Sequence, residues 1–551
     1  MKELYLNIME KALIAYTDAG IRNYYAKVKE EGITEHGFPR LVANIGILLS
    51  RGKCRDLHGL FLEMMDFTTA SIPTLTGRTG NDFSVREVIS AIIELEHTDL
   101  VSEARITHWR DNLSKMVQTK NYKEIAHNDG SYAGNWAAYN AASEFLRVKA
   151  GIAEDNGFVD NQIESQLANF DENGMYMDPH EPMLYDLASR VQLASLLFYG
   201  YEGKHAHAIY ELLDKSAELT LKMQSATGSI PFGGRSNQML FNEAYLAALL
   251  EFYATMYEKL GDAEKAAKFK AGAASALKNI WDNINSYPAT HVKNYYPKDK
   301  NYGCESYAYF DKYMITLASF CYLAYVFAND EIAPKTAPAV AYAAETGASF
   351  HKVFLRAGDY FAEFDMNADA HYDATGLGRL HKKGAPEAIV LSVPFAEDPA
   401  YRIGKKNSSP LALSSCLGAD VRYFLTESGS TEATAYANMN VEKEGKFIST
   451  EKYTMDENGV GITVEADGLV EYNLPTFLFD GEIYTNTTLV GTTLRVYYRG
   501  FVAEYSAKDA KIFDTGMTYR NRNGVYRLYK VRAKNCVHLS VRIYEGTPRD
   551  I

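Results

Sequence analysis

Long apolar runs are missing from this chain. Its first stretch, MKELYLNIMEKALIAYTDAGIRNYYAKVKEEG, lacks the uninterrupted apolar core of about 7–15 residues that a signal peptide needs. No later stretch reaches the roughly 18 apolar residues of a membrane span. A soluble cytoplasmic protein with no membrane partner is expected. Cysteine is scarce as well. Cys54, Cys304, Cys321, Cys416 and Cys536 are scattered, odd in number and form no CxxC pair, which fits a reducing compartment and no structural zinc. No metal or cofactor is expected. Positive charge is in deficit, with 57 Lys and Arg against 70 Asp and Glu and a net charge of −13. Without a basic stripe to displace phosphate counterions, a nucleic-acid partner is excluded. Tryptophan is rare too, at 3 residues, yet tyrosine reaches 40 against 26 phenylalanines. A phenol stacks on apolar faces and hydrogen-bonds at its tip, which suits sugars, although an aromatic-rich core explains the same excess.

What is present is enough for a large core. At 551 residues and 47% hydrophobic, the chain should form two domains, or one large domain with an appendage. Up to about residue 332 the apolar period is 3.6, in runs such as AAYNAASEFLRVKAGI, MLYDLASRVQLASLLFYG, HAIYELLDKSAELTLKMQ and NEAYLAALLEFYATMYEKL. Ten to twelve helices are expected. Prolines and small residues interrupt the pattern in DEIAPKTAPAVAYAAETGAS, which sets a helical domain at 1–335 and a second domain at 336–551. There the period becomes two, in HKVFLRAGDYFAEFD, AIVLSVPF, GITVEA, TLRVYYRGFVAEYS, VYRLYKVRA and VHLSVRIYEG. The expected class is mainly α then β, a helical array followed by an antiparallel β-sandwich or stacked antiparallel sheets.

Four unusual clusters each stand where a helix begins: HNDGSYAGNW (127–136), MDPHEP (177–182), IPFGGRSNQ (230–238) and NYGCESYAY (301–309). The helices behind them are expected to start near 135, 182, 239 and 306. One returning helix fits between successive clusters. Short connections make consecutive helices antiparallel, so every second N-terminus lies at the same end and the four clusters gather there. Helix N-termini bring free N–H groups and positive potential to that end.

Each cluster has a structural reading beside the functional one. Asp178 precedes a proline and is held extended, Pro179 and Pro182 stiffen the loop, and Glu181 is either an acid of the site or a helix-start residue. Asp186 and Arg190 have the spacing of an ordinary surface pair. Gly233 and Gly234 permit a tight turn, Ser236 or Asn237 can cap the next helix, and Arg235 offers a carboxylate fork or a structural ion pair. Glu243 faces the cleft or favours the helix dipole. Glu305, Tyr307 and Tyr309 could share a substrate, or Ser306 caps and Glu305 is exposed. Asn135 and Trp136 form a polar anchor with a stacking ring, or a packed helix start. His127 is a candidate proton carrier. His205 and His207 read as solvated helix-start residues rather than metal ligands.

With GNWAAYN, FDENGMYMDPHEPMLYDLASR, PFGGRSNQ, GCESYAYFDKY, HYDATGLGRLHKKGAP and YNLPTFLFDG in place, the sequence resembles the heparinase II/III-like superfamily of carbohydrate-active enzymes. That resemblance implies an (α/α) toroid, complete or incomplete, joined to an antiparallel β-domain over nearly the whole chain. Uronate polysaccharide lyases of this shape use a tyrosine as acid and base, with Asn, His or Arg neutralising the uronate carboxylate. Their frequent NNW helix start stands here as GNW, so Asn135 corresponds while Gly134 departs. Toroid glycoside hydrolases, including β-glucuronidases of glycoside hydrolase family 154, are the other neighbour, and the acidic MDPHEP and CESYAY clusters point towards them.

The chemistry separates the two. Hydrolysis needs two carboxyls across the glycosidic bond, and Asp178, Glu181, Glu243 and Glu305 are the candidates. Elimination needs a neutralised uronate, a base and an acid, which Arg235, Asn135, His180 or His127, and Tyr307 or Tyr309 could supply. In both cases Arg235 and Asn237 are natural uronate holders, Trp136 a stacking ring, and His371 and His381 lean over the cleft from the β-domain or stay in a solvated loop. Hydrolysis of uronic-acid-containing oligosaccharides is the favoured expectation. A uronate lyase is the first alternative and a non-catalytic glycan-binding protein the second. The expected partner is an imported oligosaccharide, with a homo-oligomer as a compatible assembly.

Overall fold

The computed structural model describes residues 1–14, 16–126, 133–286, 293, 310–336, 340–369, 372–394, 412–414 and 421–551. Fourteen α-helices come first among these residues. They are α1 Lys2–Ile14, α2 Asp18–Glu31, α3 Gly37–Ser50, α4 His58–Ser71, α5 Asn81–Leu95, α6 Glu103–Ser114, α7 Gln118–Asn121, α8 Trp136–Lys149, α9 Phe158–Leu167, α10 Met183–Phe198, α11 Ala206–Met223, α12 Asn242–Lys259, α13 Ala263–Ser286 and α14 Phe310–Phe327. The number exceeds the ten to twelve expected because pieces such as the one-turn α7 are too short to display a period. No helix among the described residues is long and apolar enough to cross a membrane.

Two kinds of helix alternate. In α2 only Ile21, Tyr25 and Val28 are buried, one stripe at helical spacing, and in α11 the buried residues run Ile209, Leu213, Ser216, Ala217, Thr220, Met223. By contrast α3 is buried from Gly37 to Leu49 and α12 from Asn242 to Ala254. Helices buried all round must lie inside. They do: α3, α5, α8, α10, α12 and α14 pack each against the next, and α14 packs back on α3, closing a ring. The single-stripe helices lie outside it, α9 on α8, α11 on α10 and α13 on α12.

Polar ties cross the inner ring. Arg40 of α3 donates to both oxygens of Glu87 on α5 at 2.8 and 2.9 Å and to Thr316 Oγ1 of α14 at 2.7 Å. Arg190 and Asp186, expected as a surface pair, are instead fully buried, with Arg190 also donating to Thr220 Oγ1 at 2.6 Å and Asp186 accepting from the Tyr176 amide at 2.7 Å. A charge pair this deep needs further hydrogen bonds beside the ion pair, and these partners supply them.

Thirteen strands follow among the described residues. The first sheet is β1 Tyr342–Glu345, β2 Lys352–Ala357, β3 Tyr360–Asp365 and β4 Gly376–Lys382 in sequential antiparallel order. The second contains β5 Val421–Ser430, β6 Ala435–Lys443, β7 Lys446–Asp456, β8 Gly459–Phe479, β9 Asn486–Val490, β10 Thr493–Tyr498, β11 Phe501–Lys508, β12 Lys511–Asn521 and β13 Gly524–Glu545. Its order is β5-β6-β7-β8-β13-β11-β10-β9, with β12 also paired to β13. The sheets stack: Phe364 meets Tyr453 edge-on at 4.7 Å, and Tyr360 Oη donates to the Ile543 carbonyl at 2.9 Å. AIVLSVPF, expected as a strand, is a short 3-10 turn at Glu387–Ile389 and irregular chain through residue 394, touching β4 through a backbone bond from the Leu380 amide to the Leu391 carbonyl at 3.1 Å without forming a strand.

The first sheet seats on the loops before α10 and α12. Met175, Met183, Met223, Phe350, Phe354 and Phe361 form a separate apolar cluster there. The Phe232 amide donates to Glu363 at 3.2 Å and the Gly234 amide to Asp373 at 2.7 Å. Burial pushes the Asp373 carboxyl up to about 7.

Candidate functional site

Among the described residues one returning helix separates α8 from α10, α10 from α12 and α12 from α14, so their N-termini share one end of the ring. The same end receives α5 and α3: His36, just before α3, lies 4.9 Å from Phe83 of α5, and Phe83 meets Trp136 of α8 at 4.5 Å. Below the mouth the ring is filled. Tyr139 Oη of α8 and Tyr245 Oη of α12 hydrogen-bond across it at 2.8 Å, and Tyr245 stacks on Phe320 at 3.7 Å. A ligand therefore meets the end of the ring rather than a channel. Tyr139, Tyr185, Tyr245 and Tyr313 each sit within the first turn or so of an inner helix, a collar that uses four of the abundant tyrosines.

The mouth is organised around Asp178. It is 3% exposed and ion-paired to Arg235 Nη2, whose Nη1 donates to the Pro179 carbonyl at 2.7 Å. The guanidinium also lies over the Tyr185 ring at 4.5 Å, and Tyr185 Oη is 3.2 Å from Ser236 Oγ. Burial raises the Asp178 carboxyl above its ordinary range, and the charges of Glu124 and Glu181 add to this against the pull of Arg235. Of the two expected alternatives for Arg235, the contact seen is the structural one, an ion pair with Asp178.

Glu124 is the acid that sequence reasoning missed. It precedes the first cluster by three residues and carries no motif. Its segment is pinned by buried Asp82, which accepts from the Lys123 amide at 3.0 Å and from Asn140 Nδ2 at 2.9 Å. Asn140 and Gln162 also donate to the Glu124 carbonyl at 2.7 and 2.8 Å. Burial brings Asp82 up to about 6. The Glu124 carboxylate accepts from the Gly134 amide at 3.2 Å, beside Asn135. Asn135 is buried at the N-cap position of α8 without a capping bond from its side chain. Trp136 is half-buried, its face covered by Lys123 Nζ at 4.1 Å and its flank by Phe83, the packed arrangement.

The glycine pair is a steric requirement. Gly234 has φ +76, and a Cβ there would sit 2.6 Å from Pro182 Cα; Gly233, at φ +137, would strike Lys352 Cε at 2.9 Å. The Met183 amide donates to the Gly233 carbonyl at 3.1 Å, locking the α10 and α12 loops together.

Other expected residues turn elsewhere. His180 and Glu181 adopt left-handed backbone at φ +67 and +39 and face the first sheet, lining a cavity of about 260 Å³ with His351, Asp365, Asp369 and Asp373. Glu243 is buried in an ion pair with Lys293 at 2.8 Å and accepts from the Ile230 amide at 3.3 Å. Asn237 folds inward and donates to the Pro231 carbonyl at 3.3 Å. Neither it nor Ser236 caps α12, which starts at Asn242, later than expected; Asn242 itself accepts from the Met239 amide at 2.6 Å. His381 does not lean over the cleft. It is 1% exposed, 2.6 Å from Ser225 Oγ, and burial pushes it down to about 3. His205 lies 3.6 Å from Glu164, and His207, 82% exposed, 3.2 Å from Glu211. His127, Glu305, Tyr307, Tyr309 and His371 lie outside the described residues.

No family model matches the chain. No curated protein matches it. Among solved structures it is similar to a heparinase III, at 10% identity over 86% of this chain and 79% of that one, with a TM-score of 0.37. It is also similar to a chondroitin AC lyase of Streptomyces coelicolor A3, at 11% identity over 98% and 82%, with a TM-score of 0.47. A heparan sulfate lyase from Pedobacter heparinus gives 11% identity over 91% and 76%, with a TM-score of 0.34.

Proposed function

We propose that this end of the ring is the active site of a carbohydrate-active enzyme that hydrolyses uronic-acid-containing oligosaccharides. The observation that carries the reading is the Asp178 carboxyl, desolvated, raised, and flanked by two further carboxylates and a guanidinium. A carboxyl whose hold on its proton is strengthened by burial can act as general acid, while a second carboxylate acts as base. Asp178 gives its proton to the glycosidic oxygen as the bond to C1 breaks. Glu124 takes a proton from the water whose oxygen bonds to C1. Arg235, seated on Asp178 and the Pro179 carbonyl, brings its positive charge to the uronate carboxylate. Tyr185 supplies a hydroxyl partner.

Elimination is the second reading, favoured by the stacking of Arg235 on Tyr185 at 4.5 Å. There the guanidinium neutralises the uronate and a phenol moves the proton. Incubation with glucuronide-ended and uronate-rich oligosaccharides separates the two. New reducing ends without ultraviolet absorbance from an unsaturated uronate support hydrolysis; that absorbance appearing in step with product excludes it.

A further inference from the structure

Arg235 stands in a turn, outside every helix and strand, since α12 starts only at Asn242. The segment leading to it is held from the second domain at alternate residues. Arg379 of β4 donates to the Ile230 carbonyl, the Phe232 amide donates to Glu363 of β3 at 3.2 Å, and the Gly234 amide donates to Asp373 at 2.7 Å. The Phe232 ring lies under Lys352 Nζ at 3.9 Å, and so close to Gly378 that a Cβ there would sit 2.5 Å from its Cζ. Arg235 therefore lies between two anchors. Asp373 holds the Gly234 amide from the β-domain, and Asn242 Nδ2 of α12 donates to the Ser236 carbonyl at 3.0 Å.

Asp373 differs from the acids beside it. Glu363 and Asp365 face Lys352 Nζ at 3.6 and 2.7 Å, and Glu363 faces Arg379 at 3.5 Å as well. Asp373 is buried too, yet among the described residues no cation forms an ion pair with it. Burying a carboxyl without a cation is costly, and its hydrogen bond from Gly234 is what answers that cost. Gly234 has φ +76 and no side chain to pack, so the bond to its amide sets the direction in which the chain enters Arg235.

We propose that Asp373 is a positioning residue of the ring mouth. Reaching over from the β-domain, it fixes the Gly234 amide and through it seats the Arg235 guanidinium on Asp178, so that recognition of an acidic sugar depends on the second domain. The choice of an acidic sugar rests on the proposed function; the placement of Arg235 does not.

The first measurement needs no substrate. The full chain is treated with phenylglyoxal, which modifies free guanidinium groups, and Arg235 is followed by peptide mass spectrometry. Wild type is compared with Asp373→Ala, with Asp373→Ser, whose hydroxyl is one bond shorter, and with Asp373→Asn, which keeps an acceptor for Gly234. Arg40, buried inside the ring, reports the fold and should stay unmodified throughout. Labelling of Arg235 several-fold faster in the Ala and Ser variants, restored towards wild type in Asn, upholds the positioning. An unchanged rate with Arg40 protected overturns it, as does labelling of Arg40 in both variants, which would make Asp373 a residue of the fold alone. The second measurement is kinetic. Asp373→Ala should raise KM for a glucuronide about tenfold, with smaller changes in kcat and in KM for a neutral glycoside. Arg235→Ala/Asp373→Ala should bind the glucuronide no worse than Arg235→Ala, since both changes act through one guanidinium. Losses that add in the double variant, or that fall equally on both glycosides, detach Asp373 from Arg235. Should the wild type cleave neither glycoside, the proposed function fails and the labelling of Arg235 alone decides the positioning.

Discussion

Asp178 and Arg235 hold each other in opposite states. Arg235 pulls the carboxyl down while burial pushes it up further, so the residue stays above the ordinary carboxylate range. Removing the guanidinium leaves only the upward causes. In Arg235→Ala the basic limb of the kcat profile, which reports loss of the acid's proton, should therefore move to higher pH, and KM for uronides should rise more than for neutral glycosides. An unmoved limb would detach Asp178 from the acid role. Both residues were legible from proline, acid and glycine placement ahead of apolar helical runs. Glu124 was not, since it enters the mouth only because Asp82, distant in sequence, pins its backbone. His381 was misread because a polar residue in a turn-flanked strand looks solvated until the helical domain, through Ser225, covers it.

At the scale of elements, close packing decides. A Cβ on Gly46 of α3 would lie 2.8 Å from Phe61 Cε2 and 3.3 Å from Ala91 Cβ. Alanine favours helix by about 1 kcal/mol, but overpacking costs about 1–3 kcal/mol, and Phe61 is fully buried against Trp109. Gly46→Ala should lower stability by about 1 kcal/mol in denaturant titration; a stabilised protein would show that the packing of α3 against α4 and α5 has slack. In the second sheet, Glu451 of β7 accepts from Tyr423 of β5 at 2.9 Å and also from Tyr453, and burial lifts it to about 8. The folded state keeps this proton longer than the unfolded chain does. Its contribution is thus intact below the usual glutamate range, and stability falls as pH rises through about 8. Glu451→Gln should flatten the decline of Tm between about pH 5 and pH 8; an unchanged slope would place the titration elsewhere. Helix and hairpin existence were readable from periodicity, whereas AIVLSVPF was not, because a short apolar run looks alike in a strand and in a packed irregular segment.

At the scale of the whole molecule, the alternation of fully buried and single-stripe helices is what builds the site. Parity in the chain put the N-termini of α8, α10, α12 and α14 at one end, and closure of α14 on α3 made that end a mouth; the sequence carried the first fact in its spacing, while the closure depended on long-range packing it could not display. The β-domain then grips the α12 loop through Glu363 and Asp373, a contact between side chains and backbone amides that leaves no pattern in sequence. The most direct measurement is the rate at which Asp178→Asn releases reducing ends from a glucuronide-ended oligosaccharide, beside wild type and the remote Glu451→Gln. A fall in kcat of roughly 100-fold or more in Asp178→Asn alone, with an unaltered melting profile, is the predicted result. A rate within a few-fold of wild type would contradict the placement of the catalytic centre at the ring mouth.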